Sequence, residues 1–523
     1  MNLEALLHNL HFDIDKVSPP DWEVDWNDAP LTYKLYRGLP VIPLSLEVPL
    51  TLKGMEVPAK PDLSKIGHFL WYVFGLTQFS ESKMDFGSSD QAMDLMQSKR
   101  RFAPSGGALY PNELYVYLKI ENLPAGVYHY DVAHHRLVLL REGNFDSYIS
   151  RALGNRCDLS NCFGTVFVST MFWKNFFKYN NFAYRLQGLD AGVLIGQLLE
   201  VAKCFGFASC VFFQFLDRAI NHLLGLSEQE ESVYAVIPLS AGSTSCFNRR
   251  NIDRHDSATE LCQELTAIQT THYVHSRRVL EFPMLTEMNE ASMLESTKSF
   301  RQIEEKQINP EGQTVTLPYV KRLSYDLASV CRIRFSPDKD FVLGKVSQQQ
   351  LATLLKGAVD SFSYQNDLDG VQRKTKSRVT LYGCLYNVEG IPNGAYYYDS
   401  SGHALRRVQP GDQRLQLQHG MSGGNVNLFQ VPLCLHVTGG KDHLKTEMGY
   451  RGYRIQQMEA GMLVQRLLLI ASSLGFGGHP LLGFDVNVSD AIYKLSPQGK
   501  TSLIQIPTGP YRQRPSLNGG LHS

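Results

Sequence analysis

Residues 183–192 read AYRLQGLDAG, and residues 452–461 read GYRIQQMEAG. The two decapeptides lie 269 residues apart, and each opens a long apolar stretch. In the first, Leu186, Leu189 and Val193, then Leu194, Leu198 and Val201, recur at the three- and four-residue steps of one buried helix face. Working outward, the same register returns again and again. GVYHYD at 126–131 becomes GAYYYD at 394–399, and His135 and Leu137 become His403 and Leu405. Gly206-Phe207 becomes Gly475-Phe476, and Pro238 becomes Pro507. An offset held at 268 or 269 over so long a stretch marks an internal repeat, which decides the architecture before any single element does. The chain holds two copies of one unit.

Each copy follows one plan. An apolar helix (IGHFLWYVFGL or QQLATLLKGAV) precedes a variable loop, and short strands follow, ELYVYLKI, GVYHYD and RLVLL in the first copy. A further strand, GTVFVST or VPLCLHV, leads into the long helix. A glycine loop, a short strand near Asp217 or Asp485, and a last strand (VYAVIPLS or TSLIQIPTG) close the unit. Hairpin strands with interspersed helices predict an α+β fold with an antiparallel-dominated sheet and helical layers. The organisation reads as an N-terminal extension with the first helix of lobe one (1–95), lobe one (96–244), a connector (245–325) and lobe two (326–523). The connector is too long for a structureless loop, so it is expected to contain helix and to wrap over one lobe.

Composition excludes several classes. Lys+Arg and Asp+Glu are 51 each, so no net charge draws the chain to nucleic acid or an anionic membrane. No apolar run has the length of a membrane span. The opening MNLEALLHNLHFDIDK lacks the basic and apolar regions of a secretory signal, and a cytoplasmic location is expected. Nine cysteines without C-x-x-C spacing read as reduced thiols, and no metal site is expected.

The copies differ where chemistry is expected. PSGGALYP at 104–111 precedes a strand in copy one, whereas copy two has RKTKSRV at 373–379. Gly106 and Gly107 carry no side chain, so backbone N–H groups can approach a flat ring or an anion. Ser105 adds a hydroxyl and Pro104 fixes the entry. A simple tight turn is the alternative, but a structural turn would be expected in both copies. Lys178 and Tyr179, in FFKYNNF, face Glu447 and Met448 in copy two. An ammonium beside a phenol favours the phenolate, and burial lowers a lysine pKa, so either residue suits a base toward a weak carbon acid. Copy two has its own surplus. LGFGGHPLLGFD keeps Gly475, Gly477, Gly478 and Pro480, and Arg512 and Arg514 follow its last strand where copy one has Ser243. Guanidinium groups there suit bidentate binding of a phosphate.

At this point the residues resemble a known group. PSGGALYPNELYVYL, LPAGVYHYD, FFKYNNFAYRLQGLDAGVLIGQLLEVAKCFGF and the opening DWEVDWNDAPLTYKLYRGLPVIPL are similar to the SagB/McbC-type dehydrogenases, a branch of the FMN-dependent nitroreductase superfamily. The resemblance implies a nitroreductase-like fold, here a fused pseudo-dimer, with FMN at the lobe interface. It implies Lys178 and Tyr179 as catalytic residues. Pro104, Ser105, Gly106 and Gly107 of lobe one would meet the flavin, with Gly477, Gly478, His479, Pro480 and Arg512 of lobe two. Arg332 and Arg334, in SVCRIRFS, stand as imperfect substitutes for the family's Arg-x-Ser-x-Arg signature. The implied reaction oxidises a peptide thiazoline or oxazoline to the azole, with dioxygen as electron acceptor. The substrate would be ribosomal or tethered to a nonribosomal synthetase carrier protein, and a homodimer of two-lobed chains is an open expectation. Two rivals stay open: an NAD(P)H-dependent nitro or quinone reductase, and a non-catalytic docking scaffold.

Overall fold

A computed structural model describes the chain except for residues 55–59, 84–94, 243–254, 304–311, 361–363, 370–376, 514–516 and 521–523. Two large sheets repeat one strand order. The first runs Val41–Pro43, Arg136–Glu142, Gly126–Asp131, Asn112–Leu118, Gly164–Met171, Glu231–Ser240, Ala208–Val211 and Gln365–Asn366. The second runs Gln313–Thr316, Ala404–Pro410, Gly394–Asp399, Thr380–Leu385, Leu433–Gly440, Lys500–Gly509 and Gly477–Gly478. Pairing is antiparallel throughout except at Gln365–Asn366, which lies parallel to Ala208–Val211. That strand comes from the second half of the chain and completes the first sheet. In return the C-terminal strand Leu517–Gly520 pairs with Gln78–Lys83 of the first half. The halves are thus laced together by exchanged strands as well as joined by a linker.

The strand after the glycine loop is buried on both faces. Leu114, Val116 and Leu118 enter the main core, while Tyr115 and Tyr117 enter a second cluster with Tyr148 and Phe167. The alternation in ELYVYLKI therefore separates two cores, not core from water. The repeat also reaches further upstream than its hairpins. His135 accepts from or donates to the Tyr130 hydroxyl (2.8 Å) and contacts the Ser45 carbonyl (3.1 Å). His403 does the same with Tyr398 (2.9 Å) and Pro318 (3.1 Å). Edge strands 41–43 and 313–316 are held by equivalent histidines, the first from the N-terminal extension and the second from the connector. The connector also forms the helices Ala258–Glu264 and Pro283–Ala291. One expectation fails: the short strands sought near Asp217 and Asp485 are helices, Asp217–Leu224 and Val486–Tyr493. Asp485 caps the second by accepting from Asn487 N–H, a helix-start device that outweighs local β propensity.

The lobes meet through two long helices, Ala183–Cys204 and Tyr450–Ser473, which are buried over nearly their whole length. They cross at the repeated glycines. A Cβ on Gly192 would stand 2.0 Å from the Met458 carbonyl oxygen, and one on Gly461 would stand 2.2 Å from that of Leu189. No side chain fits at either point, so glycine is required by contact with backbone that cannot move aside. Beyond the crossing, Gln465 donates to Gln197 (2.7 Å), which donates to the Tyr72 carbonyl (2.8 Å). Gly192→Ala and Gly461→Ala should each cost at least about 1–3 kcal/mol, the usual size of an overpacking penalty. Chemical denaturation measures this, and unchanged midpoints would mean that the crossing is not tight.

Candidate functional site

Ser105, Gly106, Tyr110 and Asp190 of lobe one form one hydrogen-bonded corner. The glycine loop is anchored by Asp190 of the first central helix. Ser105 Oγ donates to Asp190 Oδ2 at 2.5 Å, and Gly106 N–H donates to both carboxylate oxygens at 3.1 and 3.3 Å. Tyr110 N–H returns a bond to Ser105 Oγ at 2.9 Å. Beyond that anchor the backbone takes positive φ at Gly107 (65°), Ala108 (56°) and Tyr110 (48°). Two of these are not glycine, a concentration of strain that surrounding structure must sustain.

Lys178 and Tyr179 sit against this loop. A Cβ on Gly107 would lie 2.6 Å from the Tyr179 hydroxyl and 3.1 Å from Lys178 Nζ. A Cβ on Gly106 would press on Leu186 Cδ2 at 2.9 Å. The sequence reading explains these glycines by a ring approaching the backbone; in the structure the Lys178–Tyr179 pair and Leu186 lie in the direction a Cβ would take. Glycine is needed here so that the pair and the central helix can close on the loop. A second expectation is also reversed. Burial, with the charge of Asp190, pushes the Tyr179 phenol up to about 12, so the phenolate is disfavoured. Burial pulls the Lys178 ammonium below the usual lysine value. Of the two, Lys178 is the one shifted toward a neutral base.

The N-terminal extension closes over the pair. Trp22 Nε1 donates to the Lys178 carbonyl (3.2 Å), Ser18 Oγ to that of Tyr179 (3.4 Å), and the Trp26 ring lies 5.1 Å from Lys178 Nζ. The short helix Trp173–Tyr179 is pinned from below by Lys174, which pairs with Glu113 and donates to the Tyr110 carbonyl (3.3 Å). His129 completes the buried cluster at 2.7 Å from Glu113. Burial alone would raise the Glu113 carboxyl; Lys174 and His129 hold it well below its ordinary value.

Lobe two assembles a separate surface. His479 bonds the Pro337 carbonyl through Nδ1 (2.7 Å) and the Pro507 carbonyl through its N–H (3.0 Å). Gly477 lets Pro337 and Tyr511 approach, since a Cβ there would lie 2.2 and 3.0 Å from them. Phe335 stacks on Tyr511 (5.2 Å), and Arg512 N–H donates to the Asp340 carbonyl (2.9 Å). Segments 334–340, 477–480 and 509–512 are therefore one unit, with Pro480 at its edge and the Arg512 side chain exposed. Arg514 and Ser243 lie outside the described residues. Arg334 joins this unit to lobe one: its Nε donates to the Phe102 carbonyl at 2.9 Å, beside Pro104, and its Nη1 donates to Ser336 at 3.2 Å. Arg332 turns to the Leu50 carbonyl (2.6 Å).

Arg332 and Arg334 line a cavity of about 220 Å³ with Arg101, Phe102, Tyr72 and Thr77. Arg101 was not singled out in the sequence. It is buried between the Phe74 and Tyr110 rings, and its Nε and Nη1 have no acceptor among the described residues. Buried, unsatisfied guanidinium donors beside two further arginines fit an anionic group such as a phosphate.

At the pseudo-symmetric location in the other half the equivalent groups have different partners. Glu459, the counterpart of Asp190, pairs with Arg378 (2.5 Å) and accepts from Tyr364 (2.8 Å), and Arg378 also pairs with Asp369. The N–H groups of Phe213 and Gln214, which correspond to Leu482 and Gly483, both donate to the Asp367 carboxylate at 2.9 Å. Most of RKTKSRV (373–376) lies outside the described residues. No helix among the described residues is long and apolar enough to cross a membrane.

Comparison with known proteins agrees with this architecture. The Nitroreductase family model matches residues 77–239. The trifolitoxin-processing protein TfxB of Rhizobium leguminosarum bv. trifolii is 32% identical over 142 residues, 25% of this chain and 37% of that protein. The crystal structure of a nitroreductase-like protein from Anabaena variabilis ATCC 29413 covers 98% of this chain and 99% of its own, with a TM-score of 0.71 at 20% identity. The E. coli microcin synthetase McbBCD complex matches 36% of this chain and 66% of its own, at 24% identity and a TM-score of 0.29.

Glu113→Gln should leave Lys174 buried without a counter-charge and destabilise the chain by about 3–5 kcal/mol. Denaturant unfolding tests this, and a change under about 1 kcal/mol would remove the cluster from the site's support. Residues 77–239 match the Nitroreductase family model, and the chain as a whole shares its fold with the Anabaena variabilis structure, laid out as two copies of one α+β unit.

Proposed function

We propose that the protein is an FMN-dependent dehydrogenase that oxidises a thiazoline or oxazoline in a peptide to the azole during natural-product maturation. The observation that carries the reading is the corner where Lys178 and Tyr179 close on the Ser105–Gly107 loop, built from residues that the sequence of the other half does not repeat. The similarity of a quarter of the chain to a trifolitoxin-processing protein supports a peptide substrate. FMN would be held between the lobes. Arg101, Arg334 and Arg512 would receive its phosphate, and the Pro104–Gly107 loop and the Gly477–Pro480 segment would flank the ring. The bound flavin would supply hydride acceptance, and dioxygen its reoxidation.

The chain's own contribution is binding geometry and proton removal. Lys178, partly desolvated and next to a phenol that stays neutral, is the group suited to take the ring Cα proton. Tyr179 serves as a hydrogen-bond donor beside it. Trp22 and Ser18 hold the backbone of the pair, so the base is fixed by the N-terminal segment as well as by its own helix. A substrate on a synthetase carrier protein and one cut from a ribosomal precursor would meet the same residues.

Because the base must be neutral to act, activity should rise with pH through the lowered Lys178 pKa and level off above it. Lys178→Ala should retain flavin and lose azoline oxidation by about 10²–10⁴-fold. Tyr179→Phe should slow turnover but leave the rising limb in place. These rates are measured on a synthetic thiazoline peptide across pH 6–10. Wild-type turnover by Lys178→Ala, or loss of the limb in Tyr179→Phe only, would overturn the assignment. Rapid bleaching of the flavin by NADPH without any azoline oxidation would favour the nitroreductase alternative.

A further inference from the structure

We propose that Asp190 is a positioning residue that latches the glycine loop in its open, strained form, and that its counterpart Glu459 has become a salt-bridge lock that shuts the pseudo-symmetric site. The inference rests on the flavin reading for its functional meaning and on geometry for its substance.

The two acids occupy the same step of the repeat, LDAG and MEAG, one residue before the alanine and two before the crossing glycine. The glycine crossing fixes both helices, so both carboxyl groups are delivered to equivalent places. What meets them differs. Asp190 receives three uncharged donor contacts, all from the loop: the Ser105 hydroxyl and two from Gly106 N–H. No cation pairs with it among the described residues. Glu459 receives a guanidinium and a phenol, and Arg378 is itself shared with Asp369 and Asn366. A loop held by a lone carboxylate through its backbone keeps its outer face free. A buried arginine held by two carboxylates meets the counterpart acid instead.

The choice of acid follows from reach. Asp190 is one methylene shorter than Glu459, which brings the loop close enough for Leu186 and the Lys178–Tyr179 pair to touch Gly106 and Gly107. Asp190 also couples the loop to the phenol beside the base. Its charge acts on the Tyr179 phenol, while burial holds its own carboxyl up near about 7 against the pull of Ser105 and Gly106. The titratable groups that meet this corner are Tyr179 and Lys178, both from the helix end that packs on the loop. A carboxylate accepts the loop's donors more strongly than the neutral acid does. The latch should therefore tighten as pH rises through neutrality.

Three variants of the full chain test this. Asp190→Ala should weaken FMN binding about 10- to 100-fold, the loss expected for hydrogen bonds to a charged group. Asp190→Asn should retain the fold and part of the affinity. Glu459→Gln should lower the melting temperature but leave FMN affinity within about twofold. FMN affinity is read by fluorescence titration, and the loop by amide hydrogen exchange of the peptide spanning 104–111. In the wild type, protection of Gly106 and Tyr110, corrected for intrinsic rates, should grow from pH 6 to pH 8; in Asp190→Asn it should not change. Equal loop protection in wild type and Asp190→Ala would overturn the latch. So would a Glu459→Gln variant that loses FMN as strongly as Asp190→Ala. If the chain binds no FMN in any form, the flavin reading falls, and hydrogen exchange alone still decides whether Asp190 holds the loop.

Discussion

Everything in this molecule is referred to the point where two helices touch backbone to backbone. At Gly192 and Gly461 the carbonyls of Met458 and Leu189 stand where a methyl group would be, so the crossing admits no other residue. A contact of that kind has little freedom in angle or register. It fixes the N-terminal half of each helix, and with it Asp190 and Glu459, relative to the opposite lobe. The strands exchanged at 365–366 and 517–520 then hold the lobes together from outside. A covalent duplication makes this interface permanent, since the halves cannot separate by dilution.

Permanence removes the requirement that both halves be alike. In a symmetric dimer one sequence must serve both interface sites. Here one half keeps a glycine loop, a lysine and a tyrosine, and the other keeps the histidine–glycine segment and the arginine that follows the last strand. The other pair of surfaces carries internal contacts instead: Arg378 with Glu459 and Asp369, and Asp367 on two backbone N–H groups. A buried ion pair of this kind is costly to break by removing one partner. That cost keeps the second location shut.

The duplication was legible because it needs only identity at a fixed spacing, and the repeat marked Gly192 and Gly461 long before their contact was visible. The helix and strand pattern was legible for the same reason that both faces of Asn112–Leu118 are buried: branched and aromatic residues leave little choice. The helices at Asp217 and Asp485 were misread because an aspartate at a helix start beside a short apolar run looks like the end of a strand. Lys178, Tyr179 and the glycine loop stood out through asymmetry between copies. Asp190 and Arg101 did not. Asp190 is matched by another acid, so it reads as part of the repeat, and Arg101 lies next to a second arginine in a run with no pattern. What each does depends on its partners, and partners are set by the fold.

The central claim is that a duplicated chain has retained one of two interface sites. The flavin content of the purified protein tests it directly: FMN is released by heat and quantified against protein concentration after saturation and gel filtration. The account predicts one FMN per chain. Two per chain would contradict it, because the location held by the Arg378 and Asp367 contacts would then have to serve as a second site.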